Sequence, residues 1–348
     1  MVSLIGNNQI RRFNTYFHPK IAQTDIDIIT PENKTYTEPM SGYYPASYSF
    51  DNDLPGTNPD GFTTNEPTGT YIQVLSELDG HKNVVEINDQ NNAAGYPGIK
   101  QYSFFPKTYG TIELWLRFNS TTGVLALVSR DTSGDVVALN LRVEAGKWKY
   151  SVSGTSYNVP NVAHPQANTW YHIRIDFRCQ GAPSYLGISE DRYVATINGI
   201  GSGELEHGNT GMADYQFFDV GSTDTAEMKA WVDAIGFSWD PNYNIGDNLN
   251  EGLLLSYEET FSKDWMGYSL DGQANQTMLG NITFPMPVNG HHKIQVFGNN
   301  SIGMMYKSDI RHFSVEYISI DVITPENKTY TEAMSGYYPA TYGFENDE

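Results

Sequence analysis

The side chains best equipped for chemistry in this 348-residue chain are aromatic and acidic rather than nucleophilic. Trp148, Tyr150 and Tyr157 fall on one predicted hairpin, and Tyr43 and Tyr44 stand near the start of the same region. Flat rings beside amides and carboxylates suit a sugar, whose C–H faces stack on aromatic surfaces. These five are the candidate carbohydrate-binding residues, and cross-strand packing is the competing use of such rings. The remaining reactive groups speak against catalysis. Cys179 is the only cysteine, so no internal disulfide forms, and its setting IRIDFRCQG reads as a buried thiol at a strand end. His291 and His292 are neighbours on a predicted strand and therefore face opposite sides, a poor chelate. Eight histidines and one cysteine make no zinc spacing. Neither a glycine-rich phosphate loop nor a G-x-S-x-G elbow occurs. The chain reads as a non-enzyme.

Charge narrows the partners. There are 21 Lys and Arg against 41 Asp and Glu, a net charge of −20. Phosphate backbones would be repelled, which excludes nucleic acid, whereas extracellular solubility, divalent cations or a surface layer fit. No segment approaches the 18 or more apolar residues of a membrane span. No secretory leader is visible after Met1, so export would use another route or the native start lies elsewhere. Six N-x-S/T sequons begin at Asn33, Asn119, Asn275, Asn281, Asn299 and Asn327, and together they favour an exported glycoprotein at the cell surface.

The chain also repeats itself. Residues 26–53 and 320–347 are identical at 23 of 28 positions, at a constant offset of 294. Such a period reads as one full unit of a tandem array plus the start of the next, or as one molecule that offers the same segment twice.

The elements that must position these residues are short strands. GTIELWLRF (110–118) puts Ile112, Leu114, Leu116 and Phe118 on one face. Further strand-like runs separated by Gly, Ser and Asp turns continue to residue 240, and no amphipathic helix is evident. The series Gly110-Thr111-Ile112-Glu113-Leu114-Trp115, Asn168-Thr169-Trp170-Tyr171-His172-Ile173, Ile197-Asn198-Gly199 and Val232-Asp233-Ala234-Ile235 resembles the concanavalin A-like (laminin G-like) lectin/glucanase superfamily. The resemblance implies a two-sheet jelly roll over 40–240. After a linker at 241–250, residues 251–317 resemble the Ig-like modules of surface proteins. Their markers are Trp265-x-x-Tyr268-Ser269-Leu270-Asp271-Gly272, Pro287-x-x-Gly290-x-His292-x-Ile294-x-Val296 and Arg311-x-Phe313-x-Val315. That module lacks a first strand, and Ile26-Asp27-Ile28-Ile29-Thr30-Pro31 supplies one. The expected architecture is therefore all-β: a jelly-roll β-sandwich inserted in an Ig-like β-sandwich made of 24–39 plus 251–317, as in tandem-repeat prokaryotic, above all archaeal, surface proteins. Residues 1–23 would close a preceding unit, since Ile10-Arg11-Arg12-Phe13 echoes Ile310-Arg311-His312-Phe313.

The resemblance also implies a calcium ion where the first and last jelly-roll strands meet, held by Asp51, Asp53 and Asp233 with Asn88 and Asp89 as additions. The glucanase E-x-D-x-E pattern is absent. Some Ig-like surface modules form a Lys–Asn isopeptide bond, for which Lys34 and Lys328 are the lysines of the repeated strand; a solvated ammonium is the simpler use. The duplicated opening strand in 318–348, with Ile318, Ile320, Val322, Ile323 and Tyr330 as its assembly residues, has no body to pair with. It would add to a neighbouring copy or tandem neighbour head to tail, giving a filament or array. The alternative is a secreted, lectin-like carbohydrate-binding module that gains avidity by repetition.

Overall fold

The computed structural model describes residues 25–40, 42–89, 97–134, 136–222 and 227–316. The strand residues Ile318, Ile320, Val322, Ile323 and Tyr330, the sequon at Asn327, Lys328 and the echo at residues 10–13 lie outside the described residues.

The chain begins with β1 (Ile26–Thr30) and β2 (Thr35–Tyr36). Fourteen strands follow: β3 (Thr63–Asn65), β4 (Thr70–Leu78), β5 (His81–Asp89), β6 (Gly98–Lys107), β7 (Tyr109–Phe118), β8 (Leu125–Arg130), β9 (Val137–Glu144), β10 (Lys147–Val152), β11 (Thr155–Asn158), β12 (Tyr171–Arg178), β13 (Arg192–Ile197), β14 (Ile200–Glu206), β15 (Tyr215–Ser222) and β16 (Met228–Phe237). The last group is β17 (Gly252–Glu259), β18 (Lys263–Leu270), β19 (Gln276–Met278), β20 (Ile282–Pro285), β21 (Gly290–Asn300), β22 (Met305–Lys307) and β23 (Arg311–Val315). Among the described residues the one helical element is a 3₁₀ turn at Asp247–Leu249.

Strands β3–β16 form two seven-stranded sheets, ordered β11-β10-β9-β8-β15-β6-β3 and β14-β13-β12-β7-β16-β5-β4. They pack face to face as a jelly-roll β-sandwich. The alternation read from β7 holds: Ile112, Leu114, Leu116 and Phe118 are each at most 1% exposed in the shared core. Two-residue turns set the register of several hairpins. Asp79-Gly80 and Asn198-Gly199 both have positive φ at each residue, the mirror-image turn whose twist suits adjacent strands.

The remaining strands form a second, smaller β-sandwich. One sheet is β1-β17-β20; the other is β19-β18-β21-β23-β2, with β22 added at β21. It is discontinuous in sequence. β1 runs antiparallel to β17, with Ile26 opposite Glu259 and Ile28 opposite Tyr257. β2 runs parallel to β23, with Tyr36 opposite Val315. Ile26, Ile28 and Tyr36 enter one core with Leu253, Leu255, Ile294, Val296 and Phe313. Burying an isoleucine side chain contributes roughly 1.5–3 kcal/mol, so β1 carries a substantial share of this small core.

The segment 241–250 is not a loose tether. Tyr243 and Asn248 are buried, and the segment lies on the outer face of the β12-β7-β16 sheet. A buried Tyr hydroxyl and Asn amide with partners inside the larger sandwich hold it there.

Candidate assembly and binding sites

The first copy of the duplicated segment contributes β1 and β2 to the smaller sandwich and is bonded to it at further points. Beyond the strand ladders, the Thr30 hydroxyl bonds the Ser256 hydroxyl at 2.7 Å. Arg311 donates to the Ile28 carbonyl, 2.5 Å away, and Ser314 N donates to the Lys34 carbonyl. Met40 N donates to the Gly252 carbonyl and Gly252 N to that of Tyr43. Asn52 closes a reciprocal pair with the backbone of Asn281: its amide donates to Asn281 O at 2.9 Å, and Asn281 N donates to its Oδ1 at 2.6 Å. Of the duplicated residues named here, Thr30, Lys34, Met40, Tyr43 and Asn52 are identical in the second copy, and Ile28 changes to Val322.

The five residues expected to hold calcium are not gathered into one site. Asp51 accepts hydrogen bonds from Ser49 and from Thr283 of the smaller sandwich, both at 2.7 Å. The residue is half-buried, yet its carboxyl points inward, and burial pushes it up to about 7. Asp53 faces Tyr48, and burial followed by repulsion from Asp60 pushes it up to about 6. Asp233 is 2% exposed and bonds His81 Nδ1 at 2.8 Å and Ala234 N at 2.7 Å. Asn88 and Asp89 sit opposite Lys229 and Met228 on β16, four to five residues from Asp233. At about 3.3 Å per residue that is on the order of 15 Å, too far for one coordination sphere. Asn88 bonds Tyr71 and Glu86 instead. Among the described residues no group of three or more His, Cys, Asp or Glu is arranged to hold a metal ion.

The aromatic candidates also separate. Trp148 is 2% exposed and packs edge-on against Phe118 and Tyr171, so it is a core residue and not a platform. Tyr150 is partly buried against the same core, and its cross-strand neighbour Tyr157 is 47% exposed, with ring centres 5.5 Å apart. Tyr43 is half-buried with Lys82 Nζ over its ring. Tyr44 stacks on His81 at 4.3 Å, and His81 stacks in turn on Trp170 at 4.0 Å.

That stack belongs to a cluster that the sequence reading missed. Trp115, His172 and Asp233 stand side by side on adjacent strands. The Trp115 indole donates to the Asn248 carbonyl at 2.7 Å, and Asn248 Oδ1 bonds His172 Nε2 at 2.8 Å. Glu113, fully buried, accepts from the Tyr243 hydroxyl at 2.5 Å and from Gly246 N at 2.6 Å. Burial pushes the His81 imidazole down to about 4 and drives Asp233 upward, since neither charge is solvated there. The polar outward positions of GTIELWLRF, Glu113 and Trp115, were the available signal: polar groups facing away from a core normally face water, and here they face the 241–250 segment.

The other candidates are plainly placed. Asn33, Asn119 and Asn275 are exposed, whereas Asn281 and Asn299 are half-buried. Lys34 is 49% exposed at its side chain and pairs with Glu32 at 3.2 Å, as a solvated lysine does. His292 is buried between Asp271 and the Val288 carbonyl, while exposed His291 bonds Ser314. Cys179 is fully buried, and burial pushes its thiol up to about 12.

No family model matches the chain, and no curated protein does. Among solved structures the chain is similar to a sialidase at 10% identity and a TM-score of 0.44, over 59% of this chain and 19% of that one. It is similar to a carbohydrate binding module, CBM66 from Bacillus subtilis, at 11% identity and a TM-score of 0.33, over 53% of this chain and 98% of that one. A Bacillus licheniformis β-glucanase is similar at 9% identity and a TM-score of 0.34, over 57% and 97% respectively. The chain thus spans about a fifth of the sialidase's length.

Proposed function

We propose that the chain is a repeat unit of an extracellular structural or adhesive surface protein. In this reading the smaller sandwich is an Ig-like module into which the jelly roll is inserted, and residues 318–348 supply the opening strand of the next unit. The observation that carries it is the placement of the first copy: Ile26 and Ile28 fill the smaller core from a strand remote in sequence from their β17 partners. The second copy keeps Ile26 as Ile320 and replaces Ile28 with the equally apolar Val322, and an apolar strand without a partner sheet is a liability.

Its own groove is out of reach for that second copy. The described chain ends beside Gly290, which pairs with Val315. β1 starts at the opposite end, where Lys263 pairs with Asn300 and Ile26 with Glu259. Ten residues of β21 separate those ends, about 33 Å of strand. The four steps from Glu316 to Ile320 span at most about 14 Å. This favours a second body as the receiver of the strand, whether covalently joined or not.

The test is the double variant Ile26→Asp with Ile28→Asp in the full chain, which blocks the first copy and leaves the second intact. Sedimentation is expected to show concentration-dependent head-to-tail oligomers, absent when Ile320→Asp and Val322→Asp are added. A variant that stays monomeric with a folded smaller sandwich, read by the fluorescence of Trp265, would overturn the reading. If that sandwich unfolds instead, adding a peptide of residues 320–347 must restore the Trp265 signal, and failure to do so would overturn it equally.

A second reading is glycan binding, and the Tyr150–Tyr157 pair on the exposed β10–β11 hairpin favours it. Tyr157 is 47% exposed, and its ring is the open half of the pair, so Tyr157→Ala should weaken glycan-array binding while leaving the melting temperature unchanged. Arrays without hits for the parent protein would end this reading.

A further inference from the structure

The smaller sandwich has an ordered apolar tip that nothing in the described chain covers. The turn between β21 and β22 is held by Asn300, whose side-chain carbonyl accepts from Ile302 N at 3.2 Å and from Met304 N at 3.0 Å. On this fixed turn Ile302 is 81% exposed and Met304 53%, and Met305, which opens β22, is 59% exposed. Single exposed apolar residues need no explanation, but three within four residues at one tip set it apart.

The tip's location says what covers it. It projects from the leading end of the sandwich, the end at which β1 begins: Asn300 pairs with Lys263, and Thr260 N donates to the Asp25 carbonyl. The chain leaves at the trailing end, where Val315 pairs with Gly290 and the preceding loop carries Val288 at 80% exposure. In a tandem array only residues 317–319 join one unit's trailing end to the next unit's opening strand. That span holds the leading end of each unit within about 14 Å of Glu316 of the unit before it.

We propose that successive units form a direct interface, in which the Ile302–Met304–Met305 tip of one unit seats on the trailing end of the preceding unit around Val288. The proposal rests on the tandem reading above and adds to it a defined joint between units. A short connection and an apolar tip together make that joint stiff, so an array of such units is a rod and not a string of beads. Burying a few apolar side chains at effectively intramolecular concentration suffices for contacts of this size.

The experiment is hydrogen exchange on the full chain extended, after Asp347, by a second copy of residues 54–316. The first unit has no unit before it, so its tip is the internal control. Amides of Ile302, Met304 and Met305 in the second unit are expected to exchange about tenfold more slowly than the same amides in the first. Ile302→Asp in the second unit alone is expected to abolish the difference without altering protection of β17 or β21. Equal exchange of the two tips, with the amides of Ile320 and Val322 protected as those of Ile26 and Ile28 are, would overturn the interface and leave the repeat reading standing. Unprotected Ile320 and Val322 would overturn both. A tip slowed equally in both units would show a different partner and would also overturn the proposal.

Discussion

Burial decides the protonation of His81. Its ring lies between Tyr44 and Trp170 with Asp233 at 2.8 Å, and the folded imidazole holds out against protonation until about pH 4. An unfolded histidine takes up its proton near pH 6.5. Between these values the unfolded chain binds more protons, so this site's contribution falls as pH drops from 6.5 to 4 and is level below that. The loss is on the order of 3 kcal/mol, and His172, lowered for the same reason, acts in the same direction. Asp51 opposes them. Its folded carboxyl is pushed up to about 7, so the folded state protonates first; its contribution is full below the ordinary carboxylate range and is lost as pH rises toward 7. Asp51→Asn removes this opposing slope and can keep the bonds to Ser49 and Thr283. The melting temperature of the variant should therefore fall more steeply than that of the parent between pH 6.5 and 4. Parallel profiles would show that Asp51 does not titrate as its burial implies.

At the scale of elements, what was legible followed from periodicity, and what was not followed from depth. β7 was readable because period-2 alternation names a face, and Ile112, Leu114, Leu116 and Phe118 do lie in the core. The turns Asp79-Gly80 and Asn198-Gly199 announced their hairpins by residue type. Parity does not say what a residue packs against. Trp148 and Tyr150 share a face of β10, yet Trp148 packs on Phe118 and Tyr171 in the core, whereas Tyr150 pairs with Tyr157 of the edge strand β11, which opens to solvent. A ring that looked like a platform is thus a core residue. The proposed additions to the acidic set stand apart for a related reason: a likeness in motif order places strands, but the distance along β16 from Asp233 to Lys229 and Met228 sets Asn88 and Asp89 away from Asp233. The 241–250 segment reads as a linker by composition, because Asn, Gly and Asp are turn formers. Only the buried partners Glu113, Trp115 and His172, contributed by distant strands, show that it is fastened down.

For the whole molecule, the decisive question is whether two sandwiches behave as one body. Their boundary is crossed by the Asn52–Asn281 pair, by the bond from Thr283 to Asp51, and by the backbone bonds that join Met40 and Tyr43 to Gly252. Each net hydrogen bond contributes about 1 kcal/mol, and those that accept on a charged or buried group somewhat more. Removing the three side-chain bonds should thus cost about 3 kcal/mol of coupling, which is comparable with the margin by which a small sandwich is stable at all. The backbone bonds at Gly252 survive any side-chain change, so the units stay tethered but lose their fixed register. In calorimetry the parent should unfold in a single transition, because neither sandwich can open without breaking the shared contacts. Asn52→Ala combined with Thr283→Val should split it, with the smaller sandwich melting first by several degrees. Two separate transitions in the parent, unchanged in the double variant, would show that the boundary carries no energy. A rod built from repeats would then have its flexible joint inside each unit, at Gly252, rather than between units.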